Sequence, residues 1–229
     1  MTQRAAIFIF ISSLLFSLTF STPCRGQNTK DLDFGEQTDS ISLIHGIAVS
    51  FDLAGAIQRM VSDYGQYEAS VRLNLQDKYF PILEVGIGSA DHDDVVTQIH
   101  YKSSAPYFRI GADYNLMKDK HDDYRIYGGL RYAFSYFNYD ISHPDITDPT
   151  WGGKAPYSAD GVKCNSHWAE LSAGIDAKLF GPIHLGWSVR YRKRISQDSG
   201  IMGNVWYVPG FGKSGSTRLG GTFNITVDI

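Results

Sequence analysis

The chain has 229 residues, of which 43% are hydrophobic and 20% charged, with a formal net charge of -3. Those values exclude general disorder, and the slightly acidic balance offers no electrostatic footprint for nucleic acid. Aromatic residues reach 14%, with 14 Tyr and 13 Phe, which suits strands and membrane interfaces better than a helical bundle.

Arg4 precedes an apolar run over 5–20 that is broken only by Ser and Thr. This predicts a secretory signal peptide over 1–26, too short and wrongly flanked for a spanning helix. Cleavage is expected after Gly26. A lipoprotein site at Cys24 competes with it, but Pro23 stands where a small unconstrained residue is needed. Cleavage after Gly26 leaves Cys164 as the one cysteine, which cannot form an internal disulfide. Residues 27–44 are polar, acidic and without period, and are expected to form a periplasmic N-terminal tail. Beyond the signal no apolar run approaches the length of a spanning helix, so 45–229 is expected to be either a soluble domain or a membrane barrel.

From His45 onward, period-two alternation recurs eight times. The apolar faces begin with Ile47, Val49, Phe51 and Leu53, then Tyr67, Ala69, Val71 and Leu73, then Leu83, Val85 and Ile87. They continue with Phe108, Ile110 and Ala112, with Leu130, Tyr132, Phe134 and Tyr136, and with Ala169, Leu171, Ala173 and Ile175. Leu185, Trp187, Val189 and Tyr191 follow, and Leu219, Phe223, Ile225 and Val227 end the series. Short connections at 76–78, 118–123 and 180–182 alternate with long ones at 55–66, 91–105, 142–166 and 196–215. Together these features predict an all-β fold: an eight-stranded antiparallel up-and-down transmembrane β-barrel with short periplasmic turns and long extracellular loops.

A soluble barrel of lipocalin type would also alternate, with its apolar face inward. The polar face decides against it. It carries Arg72, Arg109, Arg125, Arg131, Arg190, Arg192 and Arg218 with the acids Asp52, Glu68, Glu84, Asp113, Glu170 and Asp176. Arginine suits buried, bidentate pairing with carboxylates, and recurrent Gly leaves room for long side chains in a narrow lumen. These thirteen residues are therefore expected to form a barrel-interior charge network, with the apolar face against lipid and no open pore. Two aromatic girdles are expected at the headgroup levels. One holds Tyr107, Phe108, Tyr136, Phe137, Trp168 and Tyr191, and the other Tyr79, Phe80, Tyr114, Tyr124 and Phe180.

The segments APYFRIGADYNL (105–116), IYGGLRYAFSYF (126–137), HWAELSAGIDAKL (167–179), LGWSVRYRKRIS (185–196) and VWYVPGFGKSGSTRLGGTFNITVDI (205–229) resemble an uncharacterised Bacteroidetes family, domain of unknown function 6048. YVPGF and HWAEL are the most specific of these. The resemblance implies an outer-membrane β-barrel and adds no catalytic residue.

Three clusters invite chemistry. Asp91, His92, Asp93, Asp94 and His100 offer metal ligands, but their spacing matches no Ca²⁺ loop and lacks its shaping Gly. Ser166, His167 and Glu170 suggest a hydrolase, but adjacent Ser and His do not give nucleophile–base geometry. Trp206, Tyr207, Pro209 and Phe211 form an apolar loop that is costly if exposed; it either packs over the barrel mouth or contacts a partner. No catalytic, cofactor-binding or metal residue is expected, and no cofactor. The expected role is structural or interactive. A lipid A-modifying enzyme, a carrier of small apolar molecules and a soluble periplasmic binding barrel are the alternatives; for the carrier the inward residues look too charged. The expected partners are outer-membrane lipids, the outer-membrane assembly machinery and an extracellular partner reached through the long loops, with no nucleic acid.

Overall fold

The computed structural model describes residues 43–147, 150–200, 203 and 205–229. The expected signal peptide and all but the last two residues of the expected tail lie outside the described residues.

Alternating sequence becomes strand wherever one face can be buried and the other covered. β1 (Gly46–Asp52) leads into a short helix α1 (Leu53–Val61), followed by β2 (Tyr64–Asn74), β3 (Tyr79–Asp93), β4 (His100–Asn115), β5 (Tyr124–Thr147), β6 (Lys154–Phe180) and β7 (Ile183–Asp198). A two-residue pair, β8 (Tyr207–Val208) and β9 (Gly212–Lys213), precedes β10 (Thr217–Asp228). β1 to β7 and β10 form a closed eight-stranded antiparallel barrel in the order β1-β10-β7-β6-β5-β4-β3-β2, while β8 and β9 stand apart as a small hairpin. Closure joins β1 to β10 through Ala48 opposite Asp228 and Asp52 opposite Asn224.

The short turns lie at the end that holds both barrel termini. Leu75 pairs with Tyr79 across a three-residue turn, in which Gln76 and Asp77 adopt φ of 55° and 53° and the Asn74 side chain accepts the Asp77 amide at 2.8 Å. Gly181 takes φ 54° before Pro182 in the turn between β6 and β7. The opposite end corrects the expected loops. The segment expected as a loop at 55–66 is largely helix, capped by Asp52, whose carboxylate accepts the Ala54 and Gly55 amides at 3.1 and 3.2 Å. The spans 91–105 and 142–166 are mostly strand, and 196–215 holds the end of β7 and the β8–β9 hairpin: β3 and β4 stay paired out to Asp93 and His100, and β5 and β6 out to Thr147 and Lys154. A tilted strand crosses a bilayer with roughly 9–11 residues. β5 and β6, with 24 and 27, therefore project well past it.

The polar face is inside. Arg109 is 0% exposed and Glu84 and Glu170 1% each, whereas Leu130 is 67% exposed, Val189 61% and Leu219 74%. Such a continuous apolar wall far exceeds the patches a soluble monomer presents, and it inverts the soluble barrel. Among the described residues, no helix is long and apolar enough to cross a membrane.

The expected girdles need correction. Phe108, Tyr136, Tyr191, Tyr79 and Phe180 face outward, but Tyr107, Phe137, Trp168 and Phe80 are buried in the lumen. Successive residues of a strand point to opposite faces, so neighbours such as Tyr107 and Phe108 cannot both meet lipid.

Candidate functional site: a lumen closed by its own hairpin

The lumen has two storeys. The one nearer the short turns is ionic. Arg131, on β5, donates Nε to Glu84 at 2.8 Å and Nη2 to Asp113 at 3.0 Å, and reaches Ser172 through Nη1. Arg190 on β7 donates Nη1 to Glu68 at 3.0 Å and to Glu84 at 2.8 Å. Arg109 on β4 donates Nε to Glu170 at 2.8 Å and pairs with Glu68 and Glu84 through Nη1. Arg72 and Arg125 share Asp176 at 3.0 and 2.5 Å, and Arg192 Nε lies 3.3 Å from Glu170. His184, which bridges Asp176 and Asp228 at 3.3 and 2.9 Å, carries the contacts to the short-turn end.

Only small side chains fit between these groups. A Cβ on Gly129 would sit 1.9 Å from Asp113 Oδ1, so glycine there makes room for the carboxylate. The space left around Asp52, Glu68, Arg72, Glu84, Arg131 and Arg190 is about 10 Å³, no more than one water.

Eleven of the thirteen residues expected in the network join it. Asp52 and Arg218 do not make the expected pairs. The Asp52 carboxylate lies in the lumen but caps α1 and accepts the Phe223 amide at 3.1 Å. Arg218 lies at the plugged mouth of the barrel, where its Nε donates to the Lys213 carbonyl at 2.8 Å.

The upper storey is apolar, which corrects the expectation that the whole lumen is too charged for apolar contents. Tyr101, Tyr107, Phe137, Tyr139, Ile141 and Trp168 line it, and Val205 together with Tyr207, Val208 and Phe211 of the β8–β9 hairpin fills it. Of the four loop residues offered for outside contact, Tyr207, Pro209 and Phe211 are therefore buried, and only Trp206 keeps part of its surface. The loop packs into the mouth rather than out toward a partner.

The YVPGF sequence explains how. Val208 to Phe211 form a tight turn closed by the Phe211 amide on the Val208 carbonyl at 3.1 Å, with Pro209 and then Gly210 at φ 81° in its centre. Proline followed by a left-handed glycine is the pattern of a type II turn. The turn tip rests on Tyr107, where a Cβ on Gly210 would lie 2.5 Å from the ring. Two arginines of the ionic storey hold the main chain of the turn. Arg109 Nη2 donates to the Gly210 carbonyl at 2.7 Å, and Arg192 Nη1 to the Phe211 carbonyl at 3.0 Å. Tyr101 donates to the Tyr207 carbonyl at 2.8 Å, and Tyr207 donates to the Gly65 carbonyl at 3.1 Å. Outside the plug, Trp206 stacks on His92 at 4.2 Å, and the Lys213 ammonium lies over the Trp206 and Tyr64 rings.

Sequence reasoning missed two residues that join the storeys. Tyr107 donates to Glu68 at 2.6 Å, and the Trp168 indole donates to Glu170 at 2.6 Å. Strand parity was the available signal, because it places both rings on the arginine face.

The other clusters separate. Ser166 is buried in the lumen whereas His167 points outward and takes part in a 2.8 Å hydrogen bond with Tyr132, so the two share no face. Glu170 is committed to Arg109, Arg192 and Trp168. His100 pairs with Asp93 at 2.7 Å, and His92 with Asp63 at 3.1 Å. Asp94 accepts the Thr97 and Val96 amides at 3.0 and 2.8 Å, which hold its carboxyl below the usual range. Among the described residues, no three His, Cys, Asp or Glu converge as a metal site would require. Cys164 is buried and unpaired.

Several solved barrels are similar to this chain. The N-terminal β-barrel domain of Pseudomonas aeruginosa OprF is 12% identical, with 80% of this chain and 95% of that one covered and a TM-score of 0.39. Acinetobacter baumannii CarO2 is 10% identical, with 82% and 99% covered and a TM-score of 0.38. Ail, the attachment invasion locus protein of Yersinia pestis, solved in complex with the heparin analogue sucrose octasulfate, is 9% identical, with 80% and 93% covered and a TM-score of 0.37. No curated protein matches the chain. The family described as a domain of unknown function (DUF6048) matches residues 6–229, and the chain belongs to it.

Proposed function

We propose that the protein is a closed outer-membrane barrel that neither conducts nor catalyses, and that its role is structural or interactive, exercised through the hairpins projecting at its plugged end. The observation that carries this is the inversion of the barrel: a lumen of paired Arg and acid side chains inside a wall of exposed Leu, Val, Ile and aromatic residues. Lipid is the solvent that such a wall requires, and membrane lipid and the machinery that inserts barrels are its first partners. Long hairpins at the plugged end offer the surface for an extracellular partner, with Val95, Val96 and Trp151 exposed near their tips. No nucleic acid contact and no cofactor enter this role.

The test is fractionation of the cell followed by planar-bilayer recording. The protein is expected in the outer-membrane fraction, with heat-modifiable migration on gels and no steady conductance. Recovery from the soluble periplasm would remove the membrane role, and a stable open current would remove the closed lumen. The apolar upper storey favours one second role, a carrier of small apolar molecules. In this arrangement the hairpin's own Phe211 and Val208 take the place such a molecule would need.

A further inference from the structure

The wall between β4 and β5 is interrupted. The ladder runs in register from Asn115 opposite Tyr127 to Tyr107 opposite Ser135, and resumes at Ser103 opposite Tyr139. The positions between are unpaired on this side, although β4 stays paired with β3 through Pro106 opposite Ile87 and Ala105 opposite Gly88. Pro106 has no N–H to give to a ladder. Two hydroxyls bridge the margins instead: Ser135 donates to the Pro106 carbonyl at 3.0 Å and Ser103 to the Asn138 carbonyl at 3.0 Å.

Beside the interruption lies a cleft of about 400 Å³. Tyr136, Asn138, Lys163 and Asp198 are exposed around it, with buried Phe137 in its floor. It holds one cation and one anion. Among the described residues, Lys163 has no ion-pair partner, and Asp198 accepts the Gly200 amide at 3.0 Å. Toward the middle of the barrel, the same outer face carries a run of touching rings. Tyr136 meets Phe134 at 6.1 Å, and Phe134 stacks on Phe108 at 5.5 Å. One panel of wall thus passes from aromatic to zwitterionic at the upper edge of the apolar band.

We propose that this cleft seats a membrane lipid whose head carries both a phosphate and a primary ammonium. This rests on the membrane role argued above. Lys163 and the Asn138 amide meet the phosphate, Asp198 meets the ammonium, and an acyl chain lies down the wall over Phe134 and Phe108. A purely anionic head would set its phosphate against Asp198 in the same cleft, and a trimethylated ammonium could not donate to that carboxylate. The two charges therefore select the head, and the rings supply apolar contact common to all lipids.

The test is native mass spectrometry of the full chain in detergent, titrated with phosphatidylethanolamine, phosphatidylglycerol and phosphatidylcholine of the same acyl chains. Phosphatidylethanolamine should be retained at about tenfold lower concentration than either competitor, the worth of one charge-assisted hydrogen bond. Lys163→Glu and Asp198→Lys should each abolish that preference, with folding checked by heat-modifiable migration. Asn138→Trp, which fills the cleft from its exposed side, should do the same if a charge variant fails to assemble. Equal retention of the three lipids by the unaltered protein overturns the proposal, as does a preference that survives the charge variants or the filled cleft. A chain that stays soluble without detergent and enters no vesicle overturns the membrane role instead, an outcome distinct from loss of selectivity in an inserted barrel.

Discussion

Arg131 is the sharpest point at which to perturb the lumen. Its side chain is 2% exposed, and its guanidinium serves Glu84 at 2.8 Å and Asp113 at 3.0 Å. Substitution by alanine leaves the two carboxylates unequal. Glu84 keeps Arg190 at 2.8 Å and Arg109 at 3.3 Å, whereas Asp113 keeps only Arg72, at 3.8 Å, among the ion pairs of the described residues. Asp113 thus becomes a buried charge with one long-range partner, and breaking a buried pair in this way costs about 3–5 kcal/mol. With a urea slope of about 2–3 kcal/mol/M, the unfolding midpoint should fall by roughly 1–2.5 M. The measurement is urea unfolding of the folded protein in lipid vesicles, followed by gel migration and tryptophan emission. Lys213→Ala is the comparison, since it removes a cation from the Trp206 and Tyr64 rings and should cost only about 0.5–1 kcal/mol. Arg131→Ala combined with Asp113→Ala restores the charge balance and should cost less than the sum of the two single changes. Equal small shifts for Arg131→Ala and Lys213→Ala, or strict additivity with Asp113→Ala, would falsify the ionic account of the lumen.

Leu130 and Tyr136 are comparably exposed, at 67% and 63%, but differ in depth. Arginine at the first should cost roughly 2–4 kcal/mol and at the second no more than about 1; assembly yields in vesicles would show this, and equal damage would point to a buried core behind both. Gly210→Leu places a side chain at φ 81° against the Tyr107 ring and should undock the hairpin at a cost of at least about 1–3 kcal/mol. New protease cleavage within 205–213 is the expected sign, and an unchanged digest argues that the turn is not anchored there. Trp168→Phe strands part of the Glu170 carboxylate and should cost about 1–3 kcal/mol by the same unfolding assay, with no change at all removing Trp168 from the network. The mature protein should begin at Gln27 when its N-terminus is sequenced from outer-membrane fractions, and a lipidated Cys24 would overturn that cleavage site.

Strand parity made most of the wall legible. Ile110, Leu130, Leu171 and Val189 stand outward as their alternation predicts, and the arginine-rich face is the lumen. Parity applied loosely led to the misplaced rings: a strand cannot offer Tyr107 and Phe108 to one solvent. Helix α1 was hidden because nine residues carry only two turns of a helical period, and Asp52 reads equally as the end of a strand and as the cap of a helix. The length of β5 and β6 was hidden for a different reason. Above the ionic storey the pattern inverts: Phe137, Tyr139 and Ile141 turn into the apolar upper lumen while Asn138 faces out, so the apolar-outward alternation of the lower strand stops although the strand goes on. The interruption beside β5 had a sequence signal that went unread, Pro106, since proline within a strand removes one donor from its ladder.

The destination of the aromatic loop was open in the sequence because its anchors are main-chain atoms. A guanidinium offers five donors, and a carboxylate shared among several arginines cannot take them all. In the lumen Arg109 spends donors on Glu68, Glu84 and Glu170, and one remains directed at the mouth, where the Gly210 carbonyl meets it. Arg192 has the same geometry toward the Phe211 carbonyl. Any residue at 210 or 211 has a carbonyl, so nothing in the identities of the two partners declares the contact. What the sequence does declare is the turn that presents them: Pro209 sets one dihedral, and Gly210 alone accepts the other while lying flat on Tyr107. The ionic storey and the plug are therefore one structure. Withdrawing the hairpin would expose the apolar upper lumen and at the same moment leave two buried guanidinium donors without acceptors, and both losses act to keep the barrel shut.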